Sequence, residues 1–138
     1  MTEAKIRESK LVDITYFGMR LVIGTIFLVH GSGKFDPGFA GFLNQIGIPV
    51  EMQFLIALAE FVSGILLILG VLTRVSSSIL SIMMLGAIFH VKHAAAFTGR
   101  GGYEFELLIL AGVLCIIVAG PGRISLSHVV KKIPRFLQ

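Results

Sequence analysis

One stretch of the sequence constrains the fold more than any other: the apolar run at residues 52–72, which carries a carboxylate, Glu60, near its middle. As a helix rising about 1.5 Å per residue, the run is roughly 30 Å long and matches the hydrocarbon core of a bilayer. An ionised carboxylate at that depth costs roughly 3 kcal/mol on insertion scales. We therefore expect Glu60 to face the protein interior, where it pairs with a cation or binds a proton.

The composition indicates a small integral membrane domain. The chain of 138 residues is 55% hydrophobic and 14% charged, with a mean hydropathy of +0.90, whereas soluble domains are about 25% charged. The net charge of +4 comes from basic residues that flank the apolar runs. This arrangement favours the lipid bilayer as partner and argues against nucleic acid. The single cysteine, Cys115, excludes a disulfide framework and an intramolecular dithiol–disulfide cycle.

Four apolar stretches predict four transmembrane helices, at about residues 14–33, 52–72, 75–92 and 103–120. The predicted fold is all-α, an up-down four-helix bundle within residues 13–122. A polar lead, residues 1–12, precedes the bundle, and a basic tail, residues 123–138, follows it. Most basic residues lie on the side of the two termini. The positive-inside rule therefore places both termini in the cytoplasm and predicts a multi-pass protein of the cell membrane.

A shorter element is predicted in the first outer loop, residues 36–49. Asp36 followed by Pro37 is a helix-start signal. Apolar residues then recur with helical spacing and form one stripe: Phe39, Phe42, Leu43 and Ile46. We expect a short amphipathic helix that lies in the outer membrane interface.

Six polar residues are expected to gather in the outer half of the bundle, with Glu60 at the floor: Arg20, His30, Lys34, Glu60, His90 and Glu104. Depths counted along each helix bring Arg20 near enough to Glu60 for a buried ion pair. Structural roles account for the same residues equally well. An ion pair can fix helix register, histidines can sit in the wet interface, and a glutamate is stabilised at a helix N-terminus. The i, i+3 pair of His90 and His93 lacks further ligands, so no metal site is predicted.

The predicted polar cluster suits a quinone, which needs an apolar slot for its tail and hydrogen bonds to two carbonyl oxygens. Quinone reduction takes up protons, which His or Glu can relay. The sequence contains no haem, flavin or iron–sulfur signature. No intrinsic cofactor is therefore expected, and any electrons would come from a partner.

An ordered set of short motifs resembles the DoxX family of small four-helix membrane proteins. The motifs are Arg20, His30-Gly-Ser-Gly-Lys34, Gly47-Ile-Pro49, Glu60 with Gly64, Leu69-Gly-Val-Leu-Thr-Arg74, Gly102-Tyr103-Glu104 and Gly120-Pro121-Gly-Arg-Ile-Ser125. The resemblance implies a four-helix bundle and a link to redox chemistry, since some relatives are described as subunits of thiosulfate:quinone oxidoreductase or of complexes for oxidative stress. It marks five positions as family positions: Arg20, Lys34, Glu60, Arg74 and Glu104.

Three functions remain open from the sequence. The first is an accessory or scaffold subunit of a membrane redox complex, with a membrane-bound or peripheral redox subunit as partner. The second is a quinone-interacting oxidoreductase subunit linked to thiosulfate or sulfur. The third is a small-solute or proton transporter. Four short helices give little room for alternating access, and a homo-oligomer could supply more interface. The catalytic residues, if there are any, are not identified by the sequence.

Overall fold

The apolar run with the central glutamate forms a helix, and so do its neighbours. The structure is a computed structural model that describes residues 9–130, 132, 134 and 136–138. Its α-helices are α1 (Lys10–Gly33), α2 (Pro37–Gln45), α3 (Gln53–Leu69), α4 (Thr73–Gly86), α5 (Glu104–Ala119) and α6 (Leu126–Val129). A 3₁₀ turn, Val50–Met52, leads into α3, and a π-helical turn, Ala87–Val91, continues α4. The described residues contain no strand, which confirms the all-α prediction.

Three helical segments among the described residues are long and apolar enough to cross a membrane: Lys10–Gly33, Val50–Leu69 and Thr73–Val91. The remaining long helix, α5, has 16 residues, which is about 24 Å at 1.5 Å per residue. A fourth membrane span and cytoplasmic termini stay predictions.

The helix ends differ from the predicted ones for local reasons. The first helix begins at Lys10 because the Ser9 hydroxyl caps it, accepting a hydrogen bond from the backbone N–H of Val12 at 3.3 Å. Residues 10–12 thus belong to α1 and not to the predicted lead, of which residues 1–8 lie outside the described residues. The third helix ends at Leu69 because Gly70 adopts a left-handed conformation, with φ of 72°.

The predicted short helix in the first loop is confirmed. The Asp36 carboxylate caps α2 by accepting a hydrogen bond from the backbone N–H of Gly38 at 2.9 Å, and Pro37 occupies the first turn. In the tail, α6 is a single turn. Two of the predicted basic tail residues, Lys131 and Arg135, lie outside the described part of the chain.

The backbones of α1 and α3 touch at two places. A Cβ atom added at Gly24 would lie 2.8 Å from the carbonyl oxygen of Gly64, and one added at Gly64 would lie 2.7 Å from the carbonyl oxygen of Gly24. A Cβ at Gly31 would lie 2.6 Å from the backbone nitrogen of Phe61. Only glycine fits at such positions, since the clashing atoms belong to backbone. These contacts fix the antiparallel register of α1 against α3.

The predicted ion pair between Arg20 and Glu60 is wrong. Arg20 is 1% exposed, and its guanidinium donates to the carbonyl oxygen of Leu67 at 3.2 Å and to that of Ile124. The register of α1 against α3 explains the error. It places Arg20 beside the C-terminal end of α3, and the first turns of α1 extend past that end. Depth counted from the first apolar residue of α1 therefore placed Arg20 too far into the bundle.

A hydrophobic core holds α4 and α5 against the α1–α3 pair. Its buried side chains are Ile23, Phe27, Leu67, Leu80, Met84, Ile88, Ile109, Leu110, Val113 and Ile116. Small residues of α4 are buried as well, including Ser77 and Ser81. This core therefore holds the four long helices in fixed positions relative to one another.

Candidate functional site

A cavity of about 630 Å³ lies between α2 and the ends of the long helices. Binding pockets for small molecules are typically about 300–1,000 Å³ and mostly apolar. Its walls are largely apolar: Ile26, Phe27, Phe39, Phe42, Leu43, Ile46, Ile48, Ile56, Ile82, Met83, Met84, Gly86, Ala87, Val91, Phe105 and Ile109. The predicted apolar stripe of α2 thus forms one wall of the cavity.

The buried carboxylate of α3 is paired at the edge of this cavity. Lys34 donates from Nζ to Oε1 of Glu60. The Glu60 side chain is 3% exposed, whereas that of Lys34 is 23% exposed. The ammonium also lies over the ring of Phe39, 5.3 Å from its centroid, a favourable cation–π geometry. Lys34 therefore neutralises Glu60, turns toward the cavity and contacts α2.

A second ion pair lines the cavity on α4 and α5. The Lys92 ammonium lies 2.7 Å from Oε1 of Glu106 and donates to the carbonyl oxygen of Gly102 at 2.7 Å. The Glu106 side chain is 15% exposed. The pair joins the end of the π-helical turn to the first turn of α5. Two lysine side chains and two glutamate side chains thus line the same apolar cavity.

Two histidines also line the cavity, and both are exposed. His90 Nε2 lies 2.9 Å from the carbonyl oxygen of Ile46. Because a carbonyl oxygen only accepts, the His90 ring donates from Nε2, and this bond ties the π-helical turn to the end of α2. His30 lies at the end of α1. Both rings therefore lie at the edge of the cavity.

The π-helical turn is the irregular part of the site. An α-helix widens into a π-turn by inserting an extra residue, and such turns are frequent at functional sites. Here the turn spans Ala87–Val91 and contributes three cavity-lining residues, Ala87, His90 and Val91, with Lys92 directly after it.

The structure brings together four of the six residues expected in the polar cluster: His30, Lys34, Glu60 and His90. Arg20 lies at the opposite end of α3, and Glu104 is exposed and does not line the cavity. Lys92 and Glu106 line the cavity but were not selected from the sequence. Glu104 and Glu106 both lie in the first turn of α5, two residues apart, and so point to different sides of the helix. The sequence alone does not say which side faces the cavity.

Comparison with known proteins decides the family. The sequence profile of the DoxX family matches residues 16–93. The chain belongs to the DoxX family. The resemblance inferred from its motifs is therefore confirmed, and the matched DoxX region includes Lys34, Glu60 and the π-helical turn.

The relatives of this DoxX chain carry little assigned function, and two of them are named as membrane proteins. It is 32% identical to CatD of Bacillus subtilis, named as a candidate oxidoreductase, over 90% of this chain and 92% of the relative. It is 36% identical to Rv3486, an uncharacterized membrane protein of Mycobacterium tuberculosis, over 83% of this chain and 80% of the relative. It is 27% identical to the inner membrane protein YqjF of Escherichia coli, over 89% and 97%. No solved structure matches the chain significantly.

The unequal burial of Lys34 and Glu60 predicts unequal effects of removing each of them. Lys34→Met leaves a buried carboxylate without its cation, which costs about 3–5 kcal/mol. Glu60→Gln removes the buried charge and leaves a lysine that is only partly buried, so its cost is smaller. Thermal unfolding of both variants in the same detergent measures the difference.

The double variant Lys34→Met, Glu60→Gln is the control for this asymmetry. It should recover much of the stability that Lys34→Met loses, since no buried charge remains unpaired. Equal losses in the two single variants, or no recovery in the double variant, would show that the Lys34–Glu60 pair is not a buried pair.

Proposed function

We propose that this DoxX protein is a membrane-embedded subunit of a redox complex that binds a quinone in the cavity beside α2. The observation that carries the proposal is the meeting of two lysine–glutamate pairs and two histidines on one apolar cavity. The name of the Bacillus subtilis relative, a candidate oxidoreductase, agrees with it.

The cavity fits the two parts of a quinone. Apolar side chains of α1, α2 and α4 line the walls and suit a ring and an isoprenoid tail. An ammonium group has three N–H donors. In the described structure Lys34 uses one on Glu60, and Lys92 uses two, on Glu106 and Gly102. Each lysine therefore keeps a donor for one carbonyl oxygen of the ligand.

The residues of this chain bind the ligand and move protons, while a partner supplies the electrons. A quinone is reduced to a quinol by two electrons and two protons. Lys34 and Lys92 orient the ring through its oxygens, and their positive charge favours the added electron density. His30 and His90 pass protons from water into the cavity. The electrons come from a flavin, haem or iron–sulfur centre of a partner subunit.

The proposal includes four membrane spans, with both termini in the cytoplasm and the cavity in the outer half. Of the 12 lysine and arginine residues, Lys34, Lys92 and Arg100 belong to the cavity end of the bundle. Most of the others belong, in the sequence, to the predicted lead and tail, residues 1–12 and 123–138. This asymmetry supports the orientation.

Reporters fused to the C-terminus measure the orientation. Green fluorescent protein should fluoresce there, and alkaline phosphatase should be inactive, because the first folds in the cytoplasm and the second outside it. Active alkaline phosphatase together with non-fluorescent green fluorescent protein would show that the C-terminus lies outside the cytoplasm, which contradicts the proposed orientation.

Quinone binding is tested by filling the cavity. Gly86 lines the cavity, and a Cβ at Gly86 has no atom within 4 Å, so Gly86→Leu introduces a side chain at the cavity without a clash at its Cβ. We expect wild-type protein purified in mild detergent to retain quinone, measured by mass spectrometry of organic extracts. Gly86→Leu should lower that amount roughly tenfold, a loss of about 1.4 kcal/mol in binding.

Gly18→Leu is the matched control for Gly86→Leu. A Cβ at Gly18 also has open space around it, and Gly18 does not line the cavity, so this variant should retain quinone like wild type. Equal retention in all three proteins would contradict binding in this cavity. Absence of quinone from all three would favour the scaffold role without a ligand.

A further inference from the structure

Each of the two glutamates that line the cavity has one oxygen without a hydrogen-bond partner. Glu60 Oε2 and Glu106 Oε2 are buried and unpaired within the described part of the chain, while Oε1 of each contacts its lysine. A carboxylate offers about four acceptor positions. A buried acceptor left unpaired costs about 1–3 kcal/mol, and more when it is charged. Both acidic residues that line the cavity therefore keep one unmet acceptor, which is itself buried.

A ligand that donates hydrogen bonds would remove this cost. Both carboxylates belong to the lining of the same cavity, so one molecule can reach both. The last torsion of a glutamate side chain is broad and nearly two-fold. A partial turn about this torsion moves the buried oxygen toward the cavity, while the other oxygen stays within reach of its lysine.

We propose that the cavity selects the reduced, dihydroxy form of its ligand, so that Glu60 and Glu106 accept hydrogen bonds from the two hydroxyl groups of a quinol. This inference rests on the proposed quinone-binding function. A quinone has two carbonyl oxygens and no O–H donor, so it leaves both carboxylates unmatched. A quinol has two O–H donors and matches both.

The lysines do not distinguish the two forms. Lys34 and Lys92 donate N–H groups, and the oxygens of a quinone and of a quinol can both accept them. Among the four charged side chains of the cavity, the difference in affinity between the two forms therefore comes from Glu60 and Glu106. Tighter binding of the quinol raises the reduction potential of the bound couple by about 30 mV for each tenfold difference. The site thus makes its bound quinone a stronger electron acceptor.

The test compares two probes that differ only in redox state, decylubiquinone and decylubiquinol. Full-length protein in nanodiscs is equilibrated with each probe, the quinol being kept reduced, and bound ligand is quantified by chromatography against empty nanodiscs. We expect wild-type protein to bind the quinol at least tenfold more tightly. Glu106→Gln, at the more exposed of the two acids, should shrink this ratio several-fold, because an amide has one acceptor oxygen and adds donors.

Glu104→Gln is the matched control, since Glu104 lies in the same turn of α5 and does not line the cavity. It should keep the wild-type ratio. Equal affinity for the two forms, tighter quinone binding, or a ratio unchanged in Glu106→Gln would overturn the inference while quinone binding stands. Failure of both probes to bind above empty nanodiscs would overturn the proposed function itself, and the inference with it.

Discussion

Close contact between the backbones of α1 and α3 decides where the charged residues of this protein lie. Gly24 and Gly64 let the two helices touch, and Gly31 lies against the backbone of Phe61. In the register that these contacts impose, the end of α1 passes beside the middle of α3. Lys34, about one turn after Gly31, consequently reaches Glu60. The buried carboxylate of Glu60 thereby gains a cation.

The two ion pairs around the cavity are not explained by stability alone. Taking charges out of water costs several kcal/mol, and apolar replacements of a buried pair are often neutral or stabilising. Arg20 shows how the fold treats a buried charge elsewhere, since its guanidinium is bonded to backbone carbonyl oxygens, one of them near the C-terminal end of α3. Lys34 and Lys92 instead pair with glutamates that line the cavity, and each glutamate keeps one buried oxygen with no hydrogen-bond partner among the described residues. That arrangement suits a ligand with polar groups.

Features fixed by local chemistry were predictable from the sequence. The start of α2 follows from Asp36 and Pro37, and its apolar stripe follows from the spacing of the apolar residues. That this stripe faces the cavity was not predicted. The depth of Arg20 was not predictable, because depth depends on how far α1 extends past the end of α3. The length by which α1 extends past α3 is set by the glycine contacts between the two helices and not by the length of either apolar run.

The composition of the site was predictable only in part. Lys34, Glu60 and both histidines could be placed because they end apolar runs or interrupt them. Glu106 could not be chosen over Glu104, since both lie in the first turn of α5 and only packing decides which one faces inward. Lys92 was missed because the π-helical turn, which has no clear sequence signal, shifts the face of the residues that follow it.

The central claim is that a quinone head group lies between α2 and the π-helical turn, and photolabelling tests it most directly. Protein in nanodiscs is irradiated with a quinone analogue that carries an azido group on its ring, and labelled peptides are mapped by mass spectrometry. The account predicts label in Pro37–Gln45 and Ala87–Val91 that excess decylubiquinone suppresses. Label spread over the exposed apolar residues of α5, such as Leu108 and Val118, and insensitive to the competitor would contradict it.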